Sequence, residues 1–148
     1  MLTTNPSFLI YSASMVVLCL NVLFLWGYSG AVRGKTKTTP NSEDLSTVSS
    51  GASLVLVDPP AVARVLRAHR NAADNILPFA VLALLFVLWG ASPMLTAIFC
   101  GLFVTARIGH SLSYLGEKQP WRTITFVVGG LATLVMVGFL VRALVAAV

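Results

Sequence analysis

Charged side chains are scarce in this sequence. Asp, Glu, Lys and Arg make up 10% of its 148 residues, against about 25% in an average soluble domain. Acidic groups are the rarest, five Asp and Glu beside ten Lys and Arg, and no carboxylate pair suited to acid–base hydrolysis is apparent. Cysteine occurs twice, as Cys19 and Cys100, both within apolar runs and without CxxC or Cys/His spacing. Neither a disulfide framework nor a zinc or other metal site is expected, and both cysteines read as small core residues. GxSxG, HExxH and a glycine-rich phosphate loop are missing too. The formal charge of +5 suggests nucleic acid at first sight. No basic face interleaved with aromatics lies outside the apolar segments, however, so the expected partner is a membrane surface or an anionic ligand, not nucleic acid. The opening MLTTNPSF lacks a cationic n-region and a small-residue cleavage site. It leads into a run too long for a secretory h-region, so a retained first span is expected.

What the chain has in abundance is apolar length, with 57% hydrophobic residues and a mean hydropathy of +0.86. At ~20 residues per span this accommodates four crossings. The expected fold is an all-α integral membrane protein, one four-transmembrane-helix bundle over 1–148. Helices are expected at about 8–28, 60–89, 94–115 and 121–145, with a Ser/Thr/Gly-rich loop at about 29–59. Pro59 and Pro60 suit the first turn of the second helix, and GASP (90–93) and GEKQP (116–120) read as tight turns. Arg33, Lys35, Lys37, Arg64, Arg67, Arg70, Lys118 and Arg122 fall on one side, and only Arg142 on the other. The positive-inside rule then predicts loops 29–59 and 116–120 in the cytoplasm and both termini opposite. Trp26, Tyr28 and Trp121 mark one interface and Trp89 the other.

Polar residues can also be placed by depth. Counted from the GASP turn, Asp74 lies ~24 Å along helix two and Arg107 ~21 Å along helix three, both inside a hydrocarbon core ~30 Å thick. Ionised groups at such depth pair or line a cavity, so a structural Asp74–Arg107 pair is expected. Arg67, Arg70, Asn71 and Asp74 follow an i, i+3, i+4, i+7 pattern, and Arg107, His110, Ser111 and Tyr114 repeat it. Two such stripes on consecutive helices predict a polar cavity near the cytoplasmic face. Its cations and amides suit a small anion with several carboxylates, since Arg holds carboxylates through paired hydrogen bonds, and Asp74 can receive an ammonium. The plainer alternative for Arg64, Arg67 and Arg70 is snorkelling to headgroups. Gly129, Gly130 and Gly138 are expected to allow close helix packing.

RVLRAHRNAADNILPF (64–79), RIGHSLSYLG (107–116) and PWRT (120–123) together resemble the membrane-associated proteins in eicosanoid and glutathione metabolism, with most likeness to the microsomal prostaglandin E synthase type 1 branch. The resemblance implies a homotrimer with glutathione bound between neighbouring subunits. It implies that Arg33, Arg70, Asn71, Asp74, His110, Tyr114 and Arg122 hold glutathione and that Arg122 stabilises its thiolate. Thr123 falls where that branch has a serine, and Asp44, within NSED (41–44), where it has a loop aspartate proposed to assist the chemistry. Asp74 in place of glutamate and Phe126 in place of tyrosine depart from the pattern. The function implied is a membrane glutathione-dependent enzyme, a transferase, peroxidase or prostaglandin E synthase-like isomerase, acting on a lipophilic electrophile or peroxide from the membrane lipid. A non-catalytic lipid-binding scaffold of the same family and an ion-coupled transporter subunit remain as alternatives.

Overall fold

In the computed structural model, residues 2–47 and 50–147 are described; Met1, Val48, Ser49 and Val148 lie outside the described residues, so the 1–148 domain and its first loop are treated without them. Four helices dominate: α1 (Pro6–Thr36), α2 (Pro60–Leu88), α3 (Pro93–Leu115) and α4 (Trp121–Ala146). Each is long and apolar enough to cross a membrane. Their starts follow local chemistry. Asn5 caps α1 by accepting from the Ser7 and Phe8 amides at 2.8 and 3.4 Å, and Ser92 caps α3 by accepting from Leu95 at 3.3 Å. Proline occupies the first position of α1, α2 and α3, where its missing N–H costs no helical bond.

Helix α1 ends eight residues later than the expected Tyr28. Gly27, Gly30 and Gly34 each weaken a helix by about 1 kcal/mol, but no proline interrupts the run, and Arg33 and Lys35 in the last turn favour its negative end. Lys37, left-handed at φ 50°, stops it. The connection to α2 is therefore shorter than expected and carries structure of its own. A 3₁₀ turn spans Ser42–Ser46, and a parallel pair joins β1 (Thr38–Thr39) to β2 (Ser53–Leu54). This connection and the α3–α4 turn define the loop end of the bundle.

α1 packs on α2 and α3, and α3 packs on α4; α4 leans lightly on α2 and makes no close approach to α1 among the described residues. Leu18, Leu25, Ala68, Ala72, Phe79, Phe103 and Met136 fill the middle. Phe79 and Phe103 stack with ring centroids 3.7 Å apart, and Phe86, Phe99 and Phe139 meet edge to face nearer the other end. Asn21 donates to Ser111 at 3.1 Å and Ser7 to the Ala91 carbonyl at 2.8 Å, tying α1 to α3 and to the α2–α3 turn. Cys100 is buried as expected, but Cys19 points outward, because the inner ridge of α1 runs through Leu18, Asn21 and Leu25.

Arg107 is the largest fully buried side chain, 1% exposed. Its expected pairing with Asp74 does not form in this chain. Nη1 donates to Asn71 Oδ1 at 3.4 Å, and Nη2 to the Thr125 and Phe126 carbonyls at 3.4 and 3.5 Å. The Phe103 and Phe126 rings flank the guanidinium at 5.7 and 5.5 Å. Asp74 lies three residues beyond Asn71, turned about 60° around α2, and that rotation leaves it exposed. Close packing at glycine is realised at Gly129, where an added Cβ would come within 3.1 and 3.2 Å of the guanidinium, whereas Gly130 and Gly138 have nothing within 4 Å in the single chain.

Two stability outcomes follow from this packing. Phe103→Ala should destabilise the detergent-solubilised protein by about 1–3 kcal/mol through lost ring contacts, while Leu20→Ala on the outer face stays within about 0.5 kcal/mol; comparable losses in chemical unfolding would refute the central role of the stack. Gly129→Val should lower the melting midpoint by the equivalent of about 1–3 kcal/mol, since its Cβ alone would lie 3.1 Å from a fully buried guanidinium and the methyl groups add bulk. Gly130→Val serves as the neutral comparison.

Candidate functional site

A cleft of about 250 Å³ opens at the loop end, lined by Asn71, His110, Tyr114, Arg122, Thr123 and Phe126. Its geometry starts from α3, where His110 and Tyr114 are four residues apart and therefore share a face; their rings meet at 5.6 Å. His110 Nδ1 lies 2.9 Å from the Arg122 carbonyl, which fastens α3 to the first turn of α4. Because that carbonyl is an acceptor, Nδ1 carries the proton in this bond. Nε2 is buried and has no hydrogen-bond partner, which leaves the His110 ring one unused polar atom at the cleft.

Arg122 sits at the second position of α4. Its guanidinium lies over the Tyr114 ring at 4.9 Å, and with the Gln119 amide oxygen turned toward it, Nε and Nη2 donate to that oxygen at 3.3 and 2.7 Å. The Gln119 nitrogen then donates to Thr123 Oγ1 at 3.2 Å. The ion pairs among the described residues are Arg33–Asp58 and Arg64–Glu117, at 2.7 and 3.0 Å. Arg122 is thus held in place by a ring and an amide without being neutralised. Arg107, directly behind the cleft, likewise has no carboxylate, so two guanidinium charges stand at or behind one small opening.

The expected residues do not all come together. Asn71, His110, Tyr114, Arg122 and Thr123 come together in the cleft. Arg70 and Asp74, with Arg67, form an exposed ridge on α2 and do not line it. The inner ridge of α2 is Val62, Val65, Ala68, Ala72, Ile76 and Phe79, and only Asn71, at its margin, reaches inward. The cavity expected between the second and third helices therefore lies between α3 and α4, with α2 contributing one side chain. Arg33 borders a separate opening with Lys37 and Thr38. Asp44 is held within its own loop, accepting from Thr39 Oγ1 at 3.1 Å and from Asn41 Nδ2 at 3.2 Å.

Sequence reasoning overlooked two participants. Gln119 lies in the turn before α4, so no helical spacing marked it. Phe126 was noted only as a departure, yet its ring touches both His110, at 5.9 Å between centroids, and Arg107.

Comparison with known proteins places the chain in a family. The MAPEG family model matches residues 11–142. Human prostaglandin E synthase is 31% identical over 127 residues, covering 85% of this chain and 80% of that protein. Human microsomal glutathione S-transferase 1 is 37% identical over 128 residues, covering 84% and 83%. The pig microsomal glutathione S-transferase 1 is 33% identical over 138 residues, covering 91% and 89%. With four helices able to span a membrane, the chain is an integral, multi-pass membrane protein. It belongs to the MAPEG family.

Proposed function

We propose that this protein is a membrane glutathione-dependent enzyme whose site is the cleft at the loop end. The observation that carries the reading is the state of Arg122, a guanidinium fixed by Tyr114 and Gln119 but left without a counter-charge. Two relatives whose names are microsomal glutathione S-transferase and prostaglandin E synthase support the class.

The donor set fits glutathione. The tripeptide carries two carboxylates, an ammonium and a thiol; the cleft and its rim offer guanidinium, amide, phenol and imidazole groups, and the orphaned His110 Nε2 gives a buried polar atom for a ligand to satisfy. When bound, glutathione supplies a thiolate nucleophile. A free thiol with pKa ~8.5 is largely protonated at neutral pH, and lowering that by ~2 units requires ~2.7 kcal/mol. One guanidinium at ~4 Å with an effective dielectric of ~20 offers ~4 kcal/mol; solvent screening at the half-buried Arg122 lowers that figure toward the size required. Tyr114 orients Arg122, His110 fixes the start of α4, Asn71 presents its amide from α2, and Thr123 offers a hydroxyl beside Arg122.

Arg70 and Asp74 belong to the ligand set only if a neighbouring chain brings its α2 ridge to the cleft, as a homotrimer with glutathione between subunits does. Arg33 joins from the end of α1 when a ligand carboxylate replaces Asp58. Asp44 stays with its loop and takes no step here. A lipophilic electrophile or peroxide enters from the bilayer past the exposed Phe126 and Ile124. A transporter reading fits poorly, because the Phe79–Phe103 stack and the apolar core beyond it offer no polar path to the far end among the described residues. The loop end faces the cytoplasm.

Adding glutathione to the purified protein should produce ultraviolet thiolate absorbance, and Arg122→Ala should abolish it while retaining binding and losing about 10²-fold in turnover. Binding without a thiolate signal in the unmutated protein would remove the catalytic reading, and absence of binding would favour a lipid-binding scaffold. Sidedness is separable. With Cys19 and Cys100 replaced by serine, a cysteine at Ser46 should react with an impermeant maleimide only after the cytoplasmic face is opened, and prompt labelling of intact cells would reverse the orientation.

A further inference from the structure

Among the described residues, the opposite end of the bundle holds one charged side chain, the cation Arg142, and no Asp or Glu. The five Asp and Glu are Glu43, Asp44, Asp58, Asp74 and Glu117. Asp74, the one placed deepest in α2, is still 15 residues before the α2–α3 turn, about 22 Å along the helix. Arg142 takes no part in either ion pair among the described residues. It lies 21 residues along α4 from Trp121, about 31 Å, which is one hydrocarbon thickness. If Trp121 marks one interface, Arg142 sits at headgroup depth on the other, beside Trp89.

Two openings share Arg142 and Phe139 in their linings, one between α4 and the α2–α3 end and the other along α4 itself. One, of about 400 Å³, passes Trp89, Leu95, Phe86 and Leu140; the second, of about 340 Å³, passes Val135 and Gly138. Gly138 leaves its groove open, with nothing within 4 Å of an added Cβ. A charged group shared by two largely apolar grooves matches the shape of a phosphate ester with two acyl chains.

We propose that Arg142 and these clefts form a binding site for a single phospholipid with an anionic headgroup, its phosphate on the guanidinium and one chain in each cleft. Charge complementarity selects the occupant. A second copy of this chain in the same orientation has no Asp or Glu among its described residues at that depth to offer Arg142. A zwitterionic lipid brings its own cation to the same place and gains less. The lipid acts on the packing of α4 against α2 and α3 at the end remote from the cleft that holds Arg122, so its site is tested without reference to catalysis.

Tryptophan fluorescence gives a local readout, because Trp26→Phe with Trp121→Phe leaves Trp89 as the one tryptophan of three. The full chain in phosphatidylcholine nanodiscs should show Trp89 quenched by brominated-chain phosphatidylglycerol with about fivefold higher apparent affinity than by brominated phosphatidylcholine, the gain expected for one basic residue facing an anionic lipid. Arg142→Gln should remove the difference, Arg142→Lys should keep most of it, and Gly138→Leu should weaken quenching by filling one cleft. Circular dichroism verifies that each variant is folded, and Arg142→Lys and Gly138→Leu keep the test open should Arg142→Gln fail to fold. Equal quenching by the two lipids, or an excess for phosphatidylglycerol that survives Arg142→Gln, would overturn the proposal. So would an Arg142→Gln variant that changes oligomeric size while the lipid preference remains, an outcome that assigns the clefts to contact between chains.

Discussion

A buried guanidinium organises this bundle. Arg107 is enclosed by α2, α3 and α4 with no carboxylate, and its contacts are one amide oxygen, two helix carbonyls and two aromatic faces. Isolated charge in an apolar interior is costly, and in practice it is tolerated only when dipoles and rings replace the lost water. Each of those replacements constrains a neighbour. Asn71 is drawn inward, Phe126 is held against the cation, and Gly129 stays small so that α4 can approach.

The consequence reaches the cleft. Asn71 and Phe126 both line it, so the side chains that satisfy Arg107 also shape the opening beside Arg122. Positive charge is concentrated there without a paired carboxylate side chain among the described residues. The Gln119 amide matters for the same reason. An acid in its place would cancel the charge of Arg122, whereas an amide oxygen orients it and leaves the charge intact.

Much of this architecture could be read without coordinates. Long apolar runs bounded by proline, Asn5 and Ser92 specify helices because local hydrogen bonding and hydrophobic length need no distant partner. The i, i+4 relation of His110 and Tyr114 is likewise local and held. Errors arose where rotation about a helix or contact across the chain decides. Arg70, Asn71 and Asp74 share a helical stripe, yet about 60° of rotation divides a residue facing Arg107 from one facing outward. Helix α1 runs past Ser29 and Gly30, which resemble a loop opening, because the dipole-favoured cations beyond them extend the helix.

The sequence by itself determined the membrane class, the four spans, the concentration of charge at one end and the local caps, since composition and near-neighbour spacing dictate these. Tertiary structure alone decided that Arg107 meets Asn71 instead of Asp74, that Arg33 is neutralised by Asp58 while Arg122 is not, and that the cleft opens between α3 and α4. Those outcomes depend on how helices rotate and lean when a charge must be buried among rings and carbonyls. No pattern along a single helix contains that information, because the energy belongs to groups contributed by three of them.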